Sequence, residues 1–135
     1  MGLGLERIVY TSRARTAEVG LPMQVDILAT SQRNNARDGL TGALLIHDGR
    51  FLQVLEGAGQ DLDRLLKRLG DDPRHEDIEI IEREPIRQRR FGEWAMASTR
   101  VTPALAALLR RTIEGMWTSD ETLARLAEAV DPQAA

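Results

Sequence analysis

The dipeptide Asp48-Gly49, set between two apolar runs, is the feature that most constrains how this chain can fold. Asp-Gly readily supplies the positive φ angles of a two-residue turn, so the runs on either side are expected to form an antiparallel hairpin. The hairpin pairs a strand over residues 40–46 with a return strand over residues 51–56. Because residues 40–46 are apolar almost throughout, we expect that strand to be buried.

A strand and a helix are expected before the hairpin. Residues 8–11 are β-branched or aromatic and predict the first strand. The helix is expected to begin at Pro22, which suits a first turn, and to end near Arg37-Asp38 with Gly39 as its stop. Steps of four and three along the helix predict that one face carries Leu21, Val25, Leu28, Gln32 and Asn35.

A second helix and further strands are expected after the hairpin. Leucines at i, i+3, i+4 and i+7 give the helix its apolar stripe: Leu62, Leu65, Leu66 and Leu69. Residues 70–73 are expected to end it. A fourth strand is predicted over residues 78–81, broken by Pro85, and a fifth over residues 94–101. Alternation along the fifth strand predicts that Trp94, Met96 and Ser98 share a face.

The resulting order is β-α-β-β-α-β with one more strand, which predicts an α+β, ferredoxin-like fold with two helices on one face of a mixed sheet. Two amphipathic helices are expected in the tail, the second opened by a capping box of Thr118 and Glu121. They are expected to cover either the far face of the sheet or a partner. We therefore divide the chain into a domain over residues 1–101 and a helical extension over residues 102–135.

Three polar side chains interrupt otherwise apolar patterns. Gln53 shares a strand face with Phe51 and Leu55, where an unpaired amide costs about 1–3 kcal/mol. Asn35 extends the apolar stripe of the first helix, and Tyr10 needs a partner for its hydroxyl if it is buried. Taken one at a time, each has a structural interpretation: an amide paired across strands, a helix-ending Asn, a core tyrosine. Together, they predict a polar cluster between the two helices that would suit a planar ligand.

Composition excludes several classes of function. The net charge is −3 and the arginines alternate with acids, so nucleic-acid binding is not expected. The chain has no cysteine, and His47 and His75 lack ligand spacing, so no metal site is expected. No apolar run approaches the roughly 20 residues of a membrane span, so we expect no membrane association and a cytoplasmic location.

Five segments together resemble the BLUF family, sensors of blue light using FAD. They are IVYTSRA at 8–14, SQRNNARDGLTGALL at 31–45, DGRFLQVLEG at 48–57, DPRH at 72–75 and RRFGEWAM at 89–96. Their order and spacing span about residues 5–101. The resemblance implies a flavin ring bound between the two helices, over the sheet. It also implies that the protein is a photoreceptor and not an enzyme.

The resemblance assigns roles to individual residues. Tyr10 stands at the place of the photoactive tyrosine, and Gln53 stands between it and the flavin. Asn35 is expected to hold the polar edge of the ring. Trp94 and Met96 occupy positions that rearrange on signalling, although both also suit an ordinary core.

The cofactor implied by the resemblance is FAD, with FMN or riboflavin as alternatives. Asn34, Arg74 and His75 lie where family members approach the flavin or its phosphates, although a solvated loop is an equal interpretation. The chain has no Gly-x-Gly-x-x-Gly, so the phosphates are not expected on a Rossmann turn.

Two other functions compete with the photoreceptor. An acylphosphatase-like hydrolase on this fold would need a phosphate-binding loop, but residues 12–16 contain no glycine. A flavin-free protein-interaction module would use the tail helices as its binding surface. A photoreceptor of this length is expected to act through a downstream protein partner or as a homo-oligomer.

Overall fold

The computed structural model describes residues 4–14, 20–72, 75–92, 95–98, 102–116 and 119–130. These residues form strands β1 (Leu5–Ala14), β2 (Thr41–His47), β3 (Arg50–Ala58), β4 (His75–Ile86) and β5 (Ala97–Ser98), and helices α1 (Leu21–Asp38), α2 (Gly59–Asp71), α3 (Pro103–Ile113) and α4 (Ser119–Ala129).

The strands form one mixed sheet in the order β4-β1-β3-β2-β5. β1 pairs antiparallel with both β3 and β4, β2 pairs antiparallel with β3, and β5 runs parallel to β2. The first four strands thus follow the split β-α-β order of a ferredoxin-like fold, with β5 added at one edge. The predicted α+β class and strand order are confirmed.

Two local predictions around the hairpin and the first helix are confirmed. Asp48 and Gly49 both have positive φ, 54° and 73°, and they join β2 directly to β3. Gly39 ends α1 in the left-handed conformation, with φ of 70° and its N–H donating to the Asn35 carbonyl. A residue without a side chain adopts that conformation at little cost, which is why the helix stops there.

The predicted inward face of α1 is wrong in its first half, and Gln32 of the second half is exposed as well. Leu21 and Val25 are 71% and 59% exposed, whereas Ile27 and Asn35 are buried. Apolar residues occur on more than one side of this half of the helix, so periodicity alone permits two stripes. Packing against the sheet selects the side that carries Ile27.

The predicted bounds of the last strands also need correction. β4 is longer than predicted and runs through Pro85, which pairs with Glu6 of β1. Proline is tolerated there because β4 is an edge strand, where a missing N–H need not break a ladder. Within the described residues, only Ala97–Ser98 of the predicted fifth strand is a strand; Trp94 lies outside them.

Each face of the sheet is covered by one pair of helices. The face beneath α1 and α2 includes Ile8, Tyr10, Leu44, Phe51 and Leu55. The opposite face packs against α3 and α4 and includes Val9, Ala43, Leu45, Leu52 and Val54. The tail helices therefore cover the far face, one of the two expected arrangements. Thr118 of the predicted capping box lies outside the described residues.

A buried carboxylate joins β3 to the segment that follows β4. Glu56 Oε2 accepts from Arg7 Nε at 3.0 Å, and Oε1 accepts from the backbone N–H of Phe91 at 2.8 Å. The backbone N–H of Arg90 donates to the same carboxylate at 2.9 Å. A buried charge is tolerated only when it is paired in this way, so the contacts hold this segment against the sheet.

Candidate functional site

Tyr10 and Gln53 meet on the sheet face beneath α1 and α2. They lie opposite each other in the register of β1 and β3, and the two-residue alternation of strands turns both side chains to that face. Tyr10 is almost fully buried, Gln53 is 4% exposed, and their side chains share a hydrogen bond. The predicted meeting of this phenol and this amide is present in the structure.

The environment of Tyr10 strongly favours its protonated form. Burial is the largest cause that raises the pKa of the phenol above its ordinary value of 10.0, and the negative charge of Asp72 raises it further. The hydrogen bond with Gln53 acts in the opposite direction and lowers it. The net result is a phenol that stays neutral at physiological pH.

Helix α1 places Asn35 at the same cleft. Its side chain is fully buried, and Nδ2 donates to the backbone carbonyl of Ala95 at 2.8 Å. Among the described residues, the Oδ1 atom has no hydrogen-bond partner. A buried acceptor without a donor is costly, so this oxygen is suited to receive an N–H group from a ligand.

Helix α2 and its C-terminal end supply charge on the other side of the cleft. Arg68 donates an ion-pair contact from Nη1 to Asp38 of α1 at 2.9 Å, which links the two helices. Its Nη2 atom is buried without a partner in the described part of the chain. Arg68 and Asp72 both line the cleft.

His75 lies beside the cleft at the start of β4. It is buried, its Nδ1 is 3.1 Å from Ser12 Oγ, and its ring centroid is 4.6 Å from that of Phe51. Its Nε2 is 3.8 Å from Asp72. The interpretation of His75 as part of a solvated loop is therefore wrong, because the side chain packs into the core under α2.

The cleft brings together most of the predicted site residues. Its walls include Tyr10, Asn34, Asn35, Gln53, His75 and Met96. Arg74 and Trp94 lie outside the described residues, so their predicted places are not tested. No group of histidines and acids that could hold a metal occurs among the described residues.

Sequence reasoning missed four polar residues of the cleft: Thr30, Ser31, Arg68 and Asp72. Thr30 and Ser31 follow Ile27 by one helical turn, so a correct choice of the buried stripe would have found them. Arg68 resembles the solvated charges of an amphipathic helix, and nothing in its spacing distinguishes it from Arg64 or Lys67. Asp72 follows the helix, where a polar residue is ordinary.

The residues present fit a flat, polar-edged ring. The cleft offers an unsatisfied buried acceptor on Asn35, an amide on Gln53 that can both donate and accept, and apolar side chains from Ile27 and Leu65. The cavity measures about 110 Å³, below the roughly 300 Å³ at the lower limit of small-molecule pockets. A bound ring would therefore require the cleft to widen.

This fold and this cleft define an α+β domain with a candidate ligand site. The family described as BLUF, sensors of blue-light using FAD, matches residues 5–97, and the chain belongs to that family. It is thus a blue-light sensor domain of the flavin-binding BLUF type. The predicted family is confirmed.

Curated relatives are much longer proteins. The chain is 30% identical over 122 residues to photoactivated adenylate cyclase subunit alpha of Euglena gracilis and, over an equal length, to subunit beta of Euglena longa. These matches cover 84% of this chain but only 12% and 14% of those relatives.

Solved structures of similar length also match. The dark-state structure of BlrB, a BLUF protein, is 34% identical with a TM-score of 0.77, and the match covers 96% of both chains. A bacterial light-regulated adenylyl cyclase is 26% identical with a TM-score of 0.72, covering 97% of this chain and 41% of that one.

In the described part of this chain, no helix is both long and apolar enough to cross a membrane.

Proposed function

We propose that this protein is a blue-light photoreceptor in which Tyr10 and Gln53 carry out the light-driven step beside a flavin held in the α1/α2 cleft. The observation that carries the proposal is the buried Tyr10–Gln53 pair facing the same cleft as the unsatisfied Oδ1 of Asn35. Sites that join a polar group of perturbed pKa to a cleft are the usual places of function.

A bound flavin would supply a one-electron oxidant when it absorbs blue light. Tyr10 would be the electron donor, and loss of the electron would make its phenol, neutral until then, strongly acidic. The hydrogen bond to Gln53 would carry the proton to the amide oxygen of Gln53. The amide would then rotate or tautomerise, and return of the electron and the proton to Tyr10 would leave no net change in redox state.

An amide is required at position 53 because it must both accept and donate. Gln53 can accept from the phenol through its oxygen and donate to a ring through its nitrogen, and the two roles exchange when the amide turns. An ionised glutamate only accepts, and leucine does neither. The lasting product would be a changed hydrogen-bond arrangement of Gln53 beside the ring, which would shift the absorption of the ring to the red.

The ring would be held by Asn35, whose unsatisfied Oδ1 can accept from an N–H at its polar edge, with Asn34 and His75 at the wall. We propose FAD as the natural cofactor. FMN and riboflavin share the ring and are expected to bind the same cleft. The buried Nη2 of Arg68 and the side chain of Arg74 are candidates to meet a phosphate.

The output is proposed to be structural, with no catalysis by this chain. Met96 lines the cleft and directly precedes β5, the strand that leads towards α3. A displacement of Met96, with Trp94, would reach the tail helices and alter a contact with a protein partner or a second copy of the chain.

Absorption spectra before and after blue light test the proposal. The flavin-loaded protein is expected to show a red-shifted spectrum that returns in the dark. Gln53→Leu and Tyr10→Phe are expected to keep the flavin and lose the shift. Arg33→Ala, at an exposed position of α1 that does not line the cleft, serves as the control and is expected to keep the shift.

A colourless protein after incubation with FAD, FMN and riboflavin would contradict the proposal and favour the flavin-free interaction module. A red shift of full size in Gln53→Leu would contradict the role of Gln53.

A further inference from the structure

Two side-chain amides of α1 hold consecutive backbone carbonyls just before β5. Asn35 Nδ2 donates to the Ala95 carbonyl at 2.8 Å, and Gln32 Nε2 donates to the Met96 carbonyl at 3.1 Å. Residues three apart on a helix lie on neighbouring positions of one face, so the two amides act as a pair. The segment that carries Met96 is therefore attached to the helix that forms one wall of the cleft.

The sheet also contacts this segment. Among the described residues, Ala97 and Ser98 of β5 pair with Ala43 and Leu44 of β2 at the edge of the sheet. Met96 itself is buried in the hydrophobic cluster beneath α1 and α2. The amide contacts from α1 therefore act together with the strand pairing and this packing to fix the position of Met96.

The two amides differ in where they lie. Asn35 is fully buried and belongs to the cleft, whereas Gln32 is exposed and is not among the described residues that line it. Substitution of Asn35 disturbs ligand and segment together. Substitution of Gln32 disturbs only the segment.

We propose that Gln32 is a positioning residue that keeps Met96 docked against the cleft in the dark and sets the rate at which the lit protein returns. The inference rests on the proposed photoreceptor function. Light changes the hydrogen bonds around Gln53, and the segment bearing Met96 then leaves its docked position. Return to the dark state requires the Met96 carbonyl to form its hydrogen bond with the Gln32 amide again. Removal of this donor therefore weakens the docked state and raises the barrier to the return.

Three variants of the full chain test this inference. Gln32→Glu is isosteric but carries no N–H donor, and Gln32→Met removes the donor without adding charge. Arg33→Ala is the matched control, since its exposed guanidinium contacts only Thr30 Oγ1, at 3.4 Å, among the hydrogen bonds of the described chain. Flavin affinity, the size of the red shift, the rate of dark return and amide hydrogen exchange at residues 95–98 are measured for each.

Both Gln32 variants are expected to bind flavin and to shift to the red as the unmodified protein does. Their dark return should slow about three- to tenfold, the effect of losing one hydrogen bond, and their exchange at residues 95–98 in the dark should rise by a similar factor. Arg33→Ala should change neither quantity.

A dark return that stays within about twofold of the unmodified protein in both Gln32 variants overturns the inference and leaves the photoreceptor function standing. An unmodified protein that binds flavin without any light-induced shift overturns both. Opposite effects in Gln32→Glu and Gln32→Met would show that charge, not the donor, acts at this position, and would overturn the inference as well.

Discussion

Tyr10 illustrates how one buried residue links stability to chemistry. It is the single tyrosine of the chain, and both its burial and the charge of Asp72 oppose ionisation. The same negative charge that disfavours a phenolate also favours loss of an electron from the neutral phenol. The cleft therefore stabilises the starting state that the proposed photochemistry needs, and the Gln53 contact offers the route for the proton.

The raised pKa of Tyr10 predicts a loss of stability at alkaline pH. In the unfolded chain this phenol ionises near its ordinary pKa of 10.0, whereas in the folded chain it keeps its proton. The unfolded state then binds fewer protons, so the free energy of unfolding falls by about 1.4 kcal/mol per pH unit above that pKa. Denaturant titrations between about pH 9 and 11 measure the slope.

Tyr10→Phe is the control for this prediction. In this variant the free energy of unfolding should fall less steeply with pH, by the contribution of one ionising group, because phenylalanine has no proton to lose. Equal slopes in both proteins would contradict the pKa shift.

At the scale of residues, the sequence predicts the centre of the site better than its walls. Gln53, Asn35 and Tyr10 are visible because each is a polar exception in an apolar pattern. Arg68 is not visible in this way, since a charged residue beside a leucine stripe is normal on a helix, and neither is Asp72, since a polar residue is normal directly after one. The wrong choice of Leu21 and Val25 as buried has a similar origin: periodicity identifies a face only when apolar residues are confined to one.

The sheet depends on glycine where strands approach closely. A Cβ at Gly42 of β2 would overlap the backbone carbonyl of Val54 on the neighbouring strand. Backbone atoms of a central strand cannot move aside as a flexible side chain can. We predict that Gly42→Ala lowers the free energy of unfolding by about 1–3 kcal/mol, the range for overpacking in a core.

Gly70 provides the opposite case within α2. A Cβ there meets no described atom within 4 Å, and the residue lies in a helix without positive φ. Gly70→Ala should stabilise the protein by about 0.5–1 kcal/mol, because it restricts the unfolded chain. Thermal or denaturant unfolding of Gly42→Ala and Gly70→Ala tests both predictions. The prediction fails if Gly42→Ala is as stable as Gly70→Ala.

The sequence predicts elements that depend on local signals within a few residues. It does not predict the extent of an element that depends on a neighbouring strand. The Asp48-Gly49 turn and the Gly39 helix stop follow from backbone preferences within a few residues. The length of β4 follows from its place at the sheet edge beside β1, where even Pro85 is accommodated. Propensity alone ends a strand at a proline, but the edge position permits it to continue.

The whole molecule is expected to gain stability when the cleft is filled. A ligand that binds only the folded state stabilises it by about 2.7 kcal/mol at one hundred times its dissociation constant. For a chain of this size that corresponds to a rise in melting temperature of about 5–10 °C. Melting curves recorded with increasing FAD measure the effect.

ADP is the matched control because it shares the adenosine diphosphate portion of FAD and lacks the ring. It should leave the melting temperature unchanged. An equal rise with ADP would show that the ring adds nothing to binding and would contradict the role assigned to Asn35.

The sequence predicts the overall topology. For the tail helices it leaves two positions open, the far face of the sheet or a partner. Strand order follows from the alternation of helices and strands with right-handed crossovers. Apolar residues on both sides of β2 and β3 indicate that both faces are covered, but periodicity does not say by what. Packing of Leu105, Leu108 and Leu126 against Leu45, Leu52 and Val54 provides that answer.

Alternate residues of β3 thus touch opposite halves of the protein: Gln53 faces the cleft, while Leu52 and Val54 face the tail helices. This coupling matters for a fusion of the domain to an effector protein. A junction placed after residue 101 would remove α3 and α4 and expose one side of the strand that carries Gln53, the amide proposed to be photoactive. Fusions that retain α3 and α4 should preserve the spectral properties of the parent, and shorter ones should yield aggregated, colourless material.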